Sequence, residues 1–142
     1  MVVDKNKKLI GRDDIADLPA FGLKRVPVKT DSGAYTCTIH CSLIEESKQG
    51  LRVVFLEPDE EGYTGKEQTF QKFEHKRVRS SSGEQQERYI IPGNIVLFGK
   101  KYNTEFTLSS RNMMRYPVLL GRKLLSGNFV IDTAHSNLSL EQ

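Results

Sequence analysis

An all-β fold, a barrel or a sandwich, is predicted by three observations in this 142-residue chain. Apolar residues recur with a period of two in short runs. Gly, Pro, Asn and Asp break those runs at close spacing. No helical pattern long enough for a βαβ unit is present, which leaves antiparallel strand architectures.

Taken in order, Lys8 to Arg12 opens the sheet, and Pro19 and Gly22 mark a turn. Arg25 to Thr30 alternates, with Val26, Val28 and Thr30 on one face. After a turn at Asp31-Ser32-Gly33, Cys37, Ile39, Cys41 and Leu43 face one way, and Thr36, Thr38, His40 and Ser42 the other. Leu51 to Leu56 is an apolar strand, followed by an acidic turn at Glu57 to Gly62. Gln68 to Val78 is polar and predicts an exposed hairpin arm, with Ser80 to Glu84 as its tip. Arg88 to Ile91 and Ile95 to Phe98 are strands separated by Pro92-Gly93. Gly99-Lys100-Lys101 turns into Tyr102 to Leu108, and Ser109 to Arg115 is a loop. Pro117 to Leu120 is a short apolar strand, Arg122 to Leu125 one helical turn ended by Gly127, and Phe129 to Ile131 the last strand. One domain spans 1–142, with 1–7 and 134–142 expected as frayed tails. Leu9-Ile10-Gly11-Arg12 echoes Leu119-Leu120-Gly121-Arg122, although four residues are too few to establish a repeat.

Charged residues make up 27% and hydrophobic residues 37%, the balance of a soluble globular chain. The net charge of +3 calls for no nucleic-acid partner, and no Lys/Arg run exceeds two residues. The apolar runs are too short to span a membrane, and Met1 to Lys8 has no apolar signal-peptide region. A cytoplasmic setting is therefore expected. The two cysteines, Cys37 and Cys41, stand about 13 Å apart if the strand is regular, too far for a disulfide.

The chemistry concentrates at Asp31-Ser32-Gly33-Ala34, where a strand runs into a tight turn carrying a carboxylate. Peptide hydrolysis by carboxylates needs two of them sharing one proton, so that one is acid while the other is base. The chain has one such turn, so two chains would have to meet. Gly33 and Ala34 leave room for that approach, and the Ser32 hydroxyl could reach the partner turn. A solvated Asp ending a strand is the alternative reading of the same four residues.

These segments together resemble a known family. Ile10-Gly11-Arg12, Leu18 to Leu23, Asp31 to Ala34, Thr36 to His40, Arg79 to Gly83 and Arg111 to Arg122 look like the bacterial retropepsin-like aspartic proteases long named "ATP-dependent zinc protease". The match runs from about Leu9 to Asp132. The resemblance implies an acid-protease closed barrel with one short helix near the C-terminus. It further implies a homodimer with Asp31, Ser32 and Gly33 as its catalytic turn. Leu119, Leu120, Gly121 and Arg122 would support that turn. Peptide would lie against Ala34 and under a flap containing Ser81, Ser82, Gly83 and Glu84. Arg122 is a candidate for an intersubunit ion pair. The family often stands beside ATP-grasp ligases, which makes such a ligase a candidate partner alongside a peptide or protein substrate.

The old name is not matched by motifs for its two chemistries. No phosphate-binding Gly-rich loop and no His-Glu-x-x-His is present, so no cofactor is expected. Cys37, His40 and Cys41 look metal-like in sequence, but on a strand the two cysteines and the histidine point apart. Neither a nucleotide nor a metal is therefore assigned. Three readings stand: a homodimeric aspartic endopeptidase, a catalytically silent peptide-binding scaffold working with a ligase, and a zinc-dependent peptidase.

Overall fold

The computed structural model describes residues 6–79, 83–110 and 115–141. In chain order the elements are β1 (Lys8–Ile10), β2 (Asp13–Leu18), a 3-10 turn (Pro19–Phe21), β3 (Leu23–Thr30), β4 (Cys37–Ser47), β5 (Gly50–Phe55) and β6 (Glu67–Phe70). There follow β7 (Glu74–Arg79), β8 (Gln85–Leu97), β9 (Lys100–Ser109), β10 (Val118–Leu120), α1 (Arg122–Leu125), β11 (Phe129–Ile131) and a second 3-10 turn (Leu138–Glu141).

Six strands close into a barrel in the order β10–β3–β2–β8–β9–β4, with β4 returning to β10. Closure leaves no open edge among these six. The β4–β5 hairpin and β6 extend the sheet to one side, and β7 adds to the outer half of β8. β1 and β11 form a separate two-stranded parallel ribbon. Among the described residues, no helix is long and apolar enough to cross a membrane.

Alternation drives this closure. In β5 every second residue is buried, as the pleat requires when one face meets the core. Phe21 anchors the interior, stacked on Phe55 at 4.4 Å and edge-on to Phe70 and Phe106. Burying one such ring contributes about 1.5–3 kcal/mol. Gly93 makes the space, because a Cβ there would stand 2.5 Å from Phe21 Cζ.

Four expectations are corrected. Pro92-Gly93 does not break the strand, since β8 pairs with β9 continuously from Tyr89 to Leu97. Pro92 falls between the end of pairing with β7 at Ile90 and the contact with β2 at Val96, where a missing N–H is tolerated. The stretch from Gln68 to Val78 is not one hairpin arm: β6 pairs with β5 and β7 with β8. The Asp13–Leu18 strand was not expected; Asp14, Ala16 and Leu18 are its buried positions. Nor are the described residues of the C-terminal tail, 134–141, frayed. Asn137 N–H donates to Asp13 O at 3.0 Å, Ser139 N–H to Asp14 Oδ2 at 3.1 Å, and both serine hydroxyls, Ser136 and Ser139, bond the same two aspartates. Asp14 is a buried charge, and these bonds with the Ile15 N–H at 2.7 Å compensate it.

Candidate active site

The Asp31 turn is built by three strands. β10 inserts in parallel beside β3, pairing Val118 with Val28 and Leu120 with Thr30. On its other side it runs antiparallel to β4, pairing Val118 with Ile39. The chain leaving β3 must therefore loop around the end of β10 to enter β4, and Asp31 to Thr36 is that loop.

Backbone hydrogen bonds fix it. Asp31 N–H donates to Leu120 O at 2.9 Å, and Ala34 N–H to Asp31 O at 3.2 Å. Arg122 N–H donates to Ala34 O and Lys123 N–H to Tyr35 O, both at 2.8 Å. The Asp31 Oδ1 accepts Gly33 N–H at 3.0 Å, an Asx turn that sets the carboxylate's rotamer. Gly121 is required by close approach: a Cβ there would lie 2.3 Å from Thr36 O. α1 begins at the next residue and seats Leu124 and Leu125 in the core.

The turn's outer surface is open. Asp31 is half-buried, Ser32 and Gly33 are exposed, and Tyr35 is 60% exposed. Arg122 is exposed and braces the turn from outside. Its Nη1 donates to Ser32 O at 2.9 Å, and its guanidinium lies 5.8 Å from the Tyr35 ring centre. Gly33 differs from Gly121. A Cβ at Gly33 would meet only Asp31 Oδ1, at 3.2 Å, and its φ is not in the left-handed range. Among the described residues, then, only a small shift of the Asp31 carboxylate is needed to admit a side chain at position 33.

The structure thus brings together Asp31, Ser32, Gly33, Ala34, Leu119, Leu120, Gly121 and Arg122. Ser81 and Ser82 lie outside the described residues. Gly83 and Glu84 sit at the end of the β7–β8 hairpin; Glu84 is exposed, and nothing lies within 4 Å of where a Gly83 Cβ would be.

A cleft of about 690 Å³ opens between this hairpin and the splayed halves of β4 and β9. Thr38, Ser42, Thr107, Ser110, Gln86, Glu87 and Arg88 supply its polar lining. Asp31 does not line it, but Thr107 in its wall is bonded to Thr36 Oγ1 at 2.7 Å, five residues beyond Asp31. Glu87 is 3.6 Å from His75 Nε2 and 3.5 Å from Arg77 Nε, so its charge is partnered. Sequence reasoning missed this wall. The only signal was the threonine and serine alternation of β4, which reads equally as a solvated face.

The metal-like residues of β4 do not converge. Cys37 and Cys41 are free thiols in the core; burial pushes the Cys37 thiol up to about 11 and the Cys41 thiol higher still. His40 is also buried, and its Nδ1 is 2.8 Å from Glu60 Oε1. The same Glu60 oxygen accepts Glu57 N–H at 2.7 Å. His40 therefore ties down the acidic turn, while its Nε2 has no hydrogen-bond partner among the described residues and lies 3.6 Å from Glu57 Oε1. Among the described residues, no three His, Cys, Asp or Glu side chains are grouped to hold a metal ion. The residues present do not fit a zinc site.

Comparison with known proteins adds three findings. The family model described as "RimB-like: Retropepsin-like aspartic endopeptidase RimB" matches residues 9–142. A probable alpha-L-glutamate ligase of Shewanella pealeana is 32% identical over 145 residues, covering 92% of this chain and 30% of that protein. One of Parasynechococcus marenigrum is 28% identical over 137 residues, with 92% and 29% covered. This chain therefore spans about a third of the length of the curated relatives it matches. A crystal structure of a Legionella pneumophila protein of unknown function (DUF785) has the same fold, with a TM-score of 0.68 at 24% identity, covering 93% of this chain and 98% of that one.

Proposed function

Because the chain belongs to the RimB-like family of retropepsin-like aspartic endopeptidases, we propose that it hydrolyses peptide bonds as a homodimer in which each subunit contributes Asp31. The observation carrying this reading is the fixed Asp31 turn, whose outward face is open and whose Gly33, meeting only Asp31 Oδ1 among the described residues, lacks a strong reason within its own subunit to be glycine. Two turns meeting at a two-fold axis supply that reason.

The two carboxylates share one proton, since like charges about 3 Å apart do not both ionise. The ionised Asp31 takes a proton from a water between them as its oxygen attacks the peptide carbonyl. The protonated Asp31 gives its proton to the carbonyl oxygen. The tetrahedral intermediate then collapses, the C–N bond breaks, and a dyad proton passes to the leaving nitrogen. Arg122 and Leu120 hold the turn so that the oxygens start in place.

The relatives' names support a substrate class. They are named as alpha-L-glutamate ligases, and this chain corresponds to under a third of each. A hydrolytic module carried with a ligase would cleave the α-glutamyl bonds the ligase makes. The polar cleft suits such a chain, because Arg88, Gln86 and the Thr38 hydroxyl offer donors to carboxylate side chains.

The test is cleavage of a synthetic oligo-α-glutamyl peptide, followed by mass spectrometry, with wild-type, Asp31→Asn and Asp31→Ala chains. Hydrolysis should be present in the first and absent in both variants, with their folding intact. Undiminished hydrolysis by Asp31→Asn would sink the proposal. The relatives' names also favour a second reading, a peptide-binding module that presents substrate to a ligase. It predicts peptide affinity that survives Asp31→Ala, with no turnover by the wild type.

A further inference from the structure

The Asp31 turn occurs twice in this chain. Its second copy is Asp132-Thr133-Ala134-His135, laid across Ile10-Gly11-Arg12 as Asp31-Ser32-Gly33-Ala34 is laid across Leu120-Gly121-Arg122. Five hydrogen bonds correspond, while the Lys123 N–H bond to Tyr35 O belongs to the first turn. Asp31 N–H donates to Leu120 O and Asp132 N–H to Ile10 O, each at 2.9 Å. Ala34 N–H donates to Asp31 O and His135 N–H to Asp132 O, each at 3.2 Å. Gly33 N–H donates to Asp31 Oδ1 and Ala134 N–H to Asp132 Oδ1, each at 3.0 Å. Arg122 N–H donates to Ala34 O at 2.8 Å, and Arg12 N–H to His135 O at 2.9 Å. The two arginine side chains repeat the pattern, Arg122 Nη1 to Ser32 O at 2.9 Å and Arg12 Nη1 to Thr133 O at 3.5 Å. The strands beneath share one parallel register, Leu120 beside Thr30 and Ile10 beside Ile131. Each glycine is packed against a backbone carbonyl, though not the equivalent one: a Cβ on Gly11 would lie 2.3 Å from His135 O, and one on Gly121 2.3 Å from Thr36 O, two residues further along its turn.

The copies differ where chemistry would be done. Ala134 and His135 replace Gly33 and Ala34, and the Asp132 carboxylate lies 3.5 Å from His135 Nε2. A 3-10 turn, Leu138–Glu141, follows in place of a strand and is bonded to β2. The second turn, with Thr133, Ala134 and His135 exposed, keeps its carboxylate beside its own His135 rather than beside another carboxylate.

It does, however, bear on the first. Arg12, clamped by the second turn, accepts Thr30 N–H at 3.0 Å and the Thr30 hydroxyl at 3.0 Å; the same hydroxyl is 3.2 Å from Gly11 O. Thr30 is the residue before Asp31. We propose that Asp132 is a positioning residue: its turn fixes Gly11-Arg12, and these fix Thr30 and hence the catalytic turn. The proposal rests on the reading of Asp31 as catalytic only for its consequence, and its test is read without turnover.

The group Asp132 supplies is an acceptor for Ala134 N–H, so an amide should serve as well as a carboxylate, whereas a methyl should not. Native-state amide exchange of wild-type, Asp132→Asn and Asp132→Ala chains separates these. In Asp132→Ala the Thr30 and Asp31 amides should exchange faster by about fivefold or more, the factor set by losing one hydrogen bond. The amides of β8 and β9 should keep their protection. Asp132→Asn should match the wild type throughout. Unchanged Thr30 and Asp31 exchange in Asp132→Ala, a uniform rise across all strands, or equal loss in Asp132→Asn would each overturn the proposal. If Asp132→Ala is too unstable to study, Thr30→Val cuts the same link at its other end. Asp31 exchange should rise there too, and no change would overturn the link. Lack of hydrolysis of the oligo-glutamyl peptide by the wild type would count against the proposed function and leave this result standing.

Discussion

Replacing Gly33 by Ala separates what one subunit needs from what two need. Inside the subunit the added Cβ meets a single atom, Asp31 Oδ1 at 3.2 Å, at the flexible end of a side chain. The backbone is not left-handed there, and Ala134 already occupies the matching place in the second turn. Folding stability should therefore stay within about 1 kcal/mol of the wild type, since such a change also restricts the unfolded chain. Between subunits the same methyl enters the space where two turns bring their carboxylates about 3 Å apart. Overpacking costs roughly 1–3 kcal/mol per added group. Symmetry applies it twice, so dimerisation should weaken by roughly 30-fold to 20,000-fold, at about 1.4 kcal/mol per tenfold. Thermal melts measure the first quantity, and sedimentation velocity across a wide concentration range the second. A Gly33→Ala chain that melts normally and dimerises as tightly as the wild type would refute the reasoning, because the turns would then not meet.

Two further outcomes are expected. Burial raises the Asp13 carboxyl, but hydrogen bonds from Ser136 and Tyr116 and the charges of Arg12 and Lys29 outweigh it, leaving the group below its ordinary 3.8. Because the folded value is the lower one, the stability it confers is present above about pH 4 and lost as pH falls through the folded value. The melting-temperature gap between wild type and Asp13→Asn should accordingly shrink on acidification, and a gap independent of pH would contradict the assignment. Cys37 and Cys41, buried and pushed up to about 11 and beyond, should resist iodoacetamide in the folded chain and react once urea unfolds it. Rapid labelling of the native protein would place β4 at the surface.

What was legible in the sequence was what local chemistry dictates. Asp31 and Gly33 make an Asx turn wherever a strand ends, and Val118-Leu119-Leu120-Gly121 announces a buried strand closed by a tight approach. The parts that escaped depend on distant partners. β2 was hidden because Asp14 occupies a core position, and Ser139 of the tail, with the Ile15 N–H, makes that burial tolerable. That tail in turn reads as a frayed end, because nothing nearby in sequence binds it. Pro92-Gly93 carries the composition of a break, yet Gly93 exists to admit the Phe21 ring into a continuous strand. The second turn shares little more than its aspartate with the first. Its likeness lies in the direction of backbone bonds, which no alphabet of side chains records.

The central claim is that one active site takes Asp31 from both chains, and mixing tests it most directly. Wild-type and Asp31→Asn chains are combined in varying proportion at constant total concentration, allowed to exchange subunits, and assayed on the oligo-α-glutamyl peptide. A site built from two chains makes every mixed dimer inactive, so hydrolysis should fall with the square of the wild-type fraction. A linear fall would mean that a single chain's Asp31 suffices, and the shared dyad would be wrong.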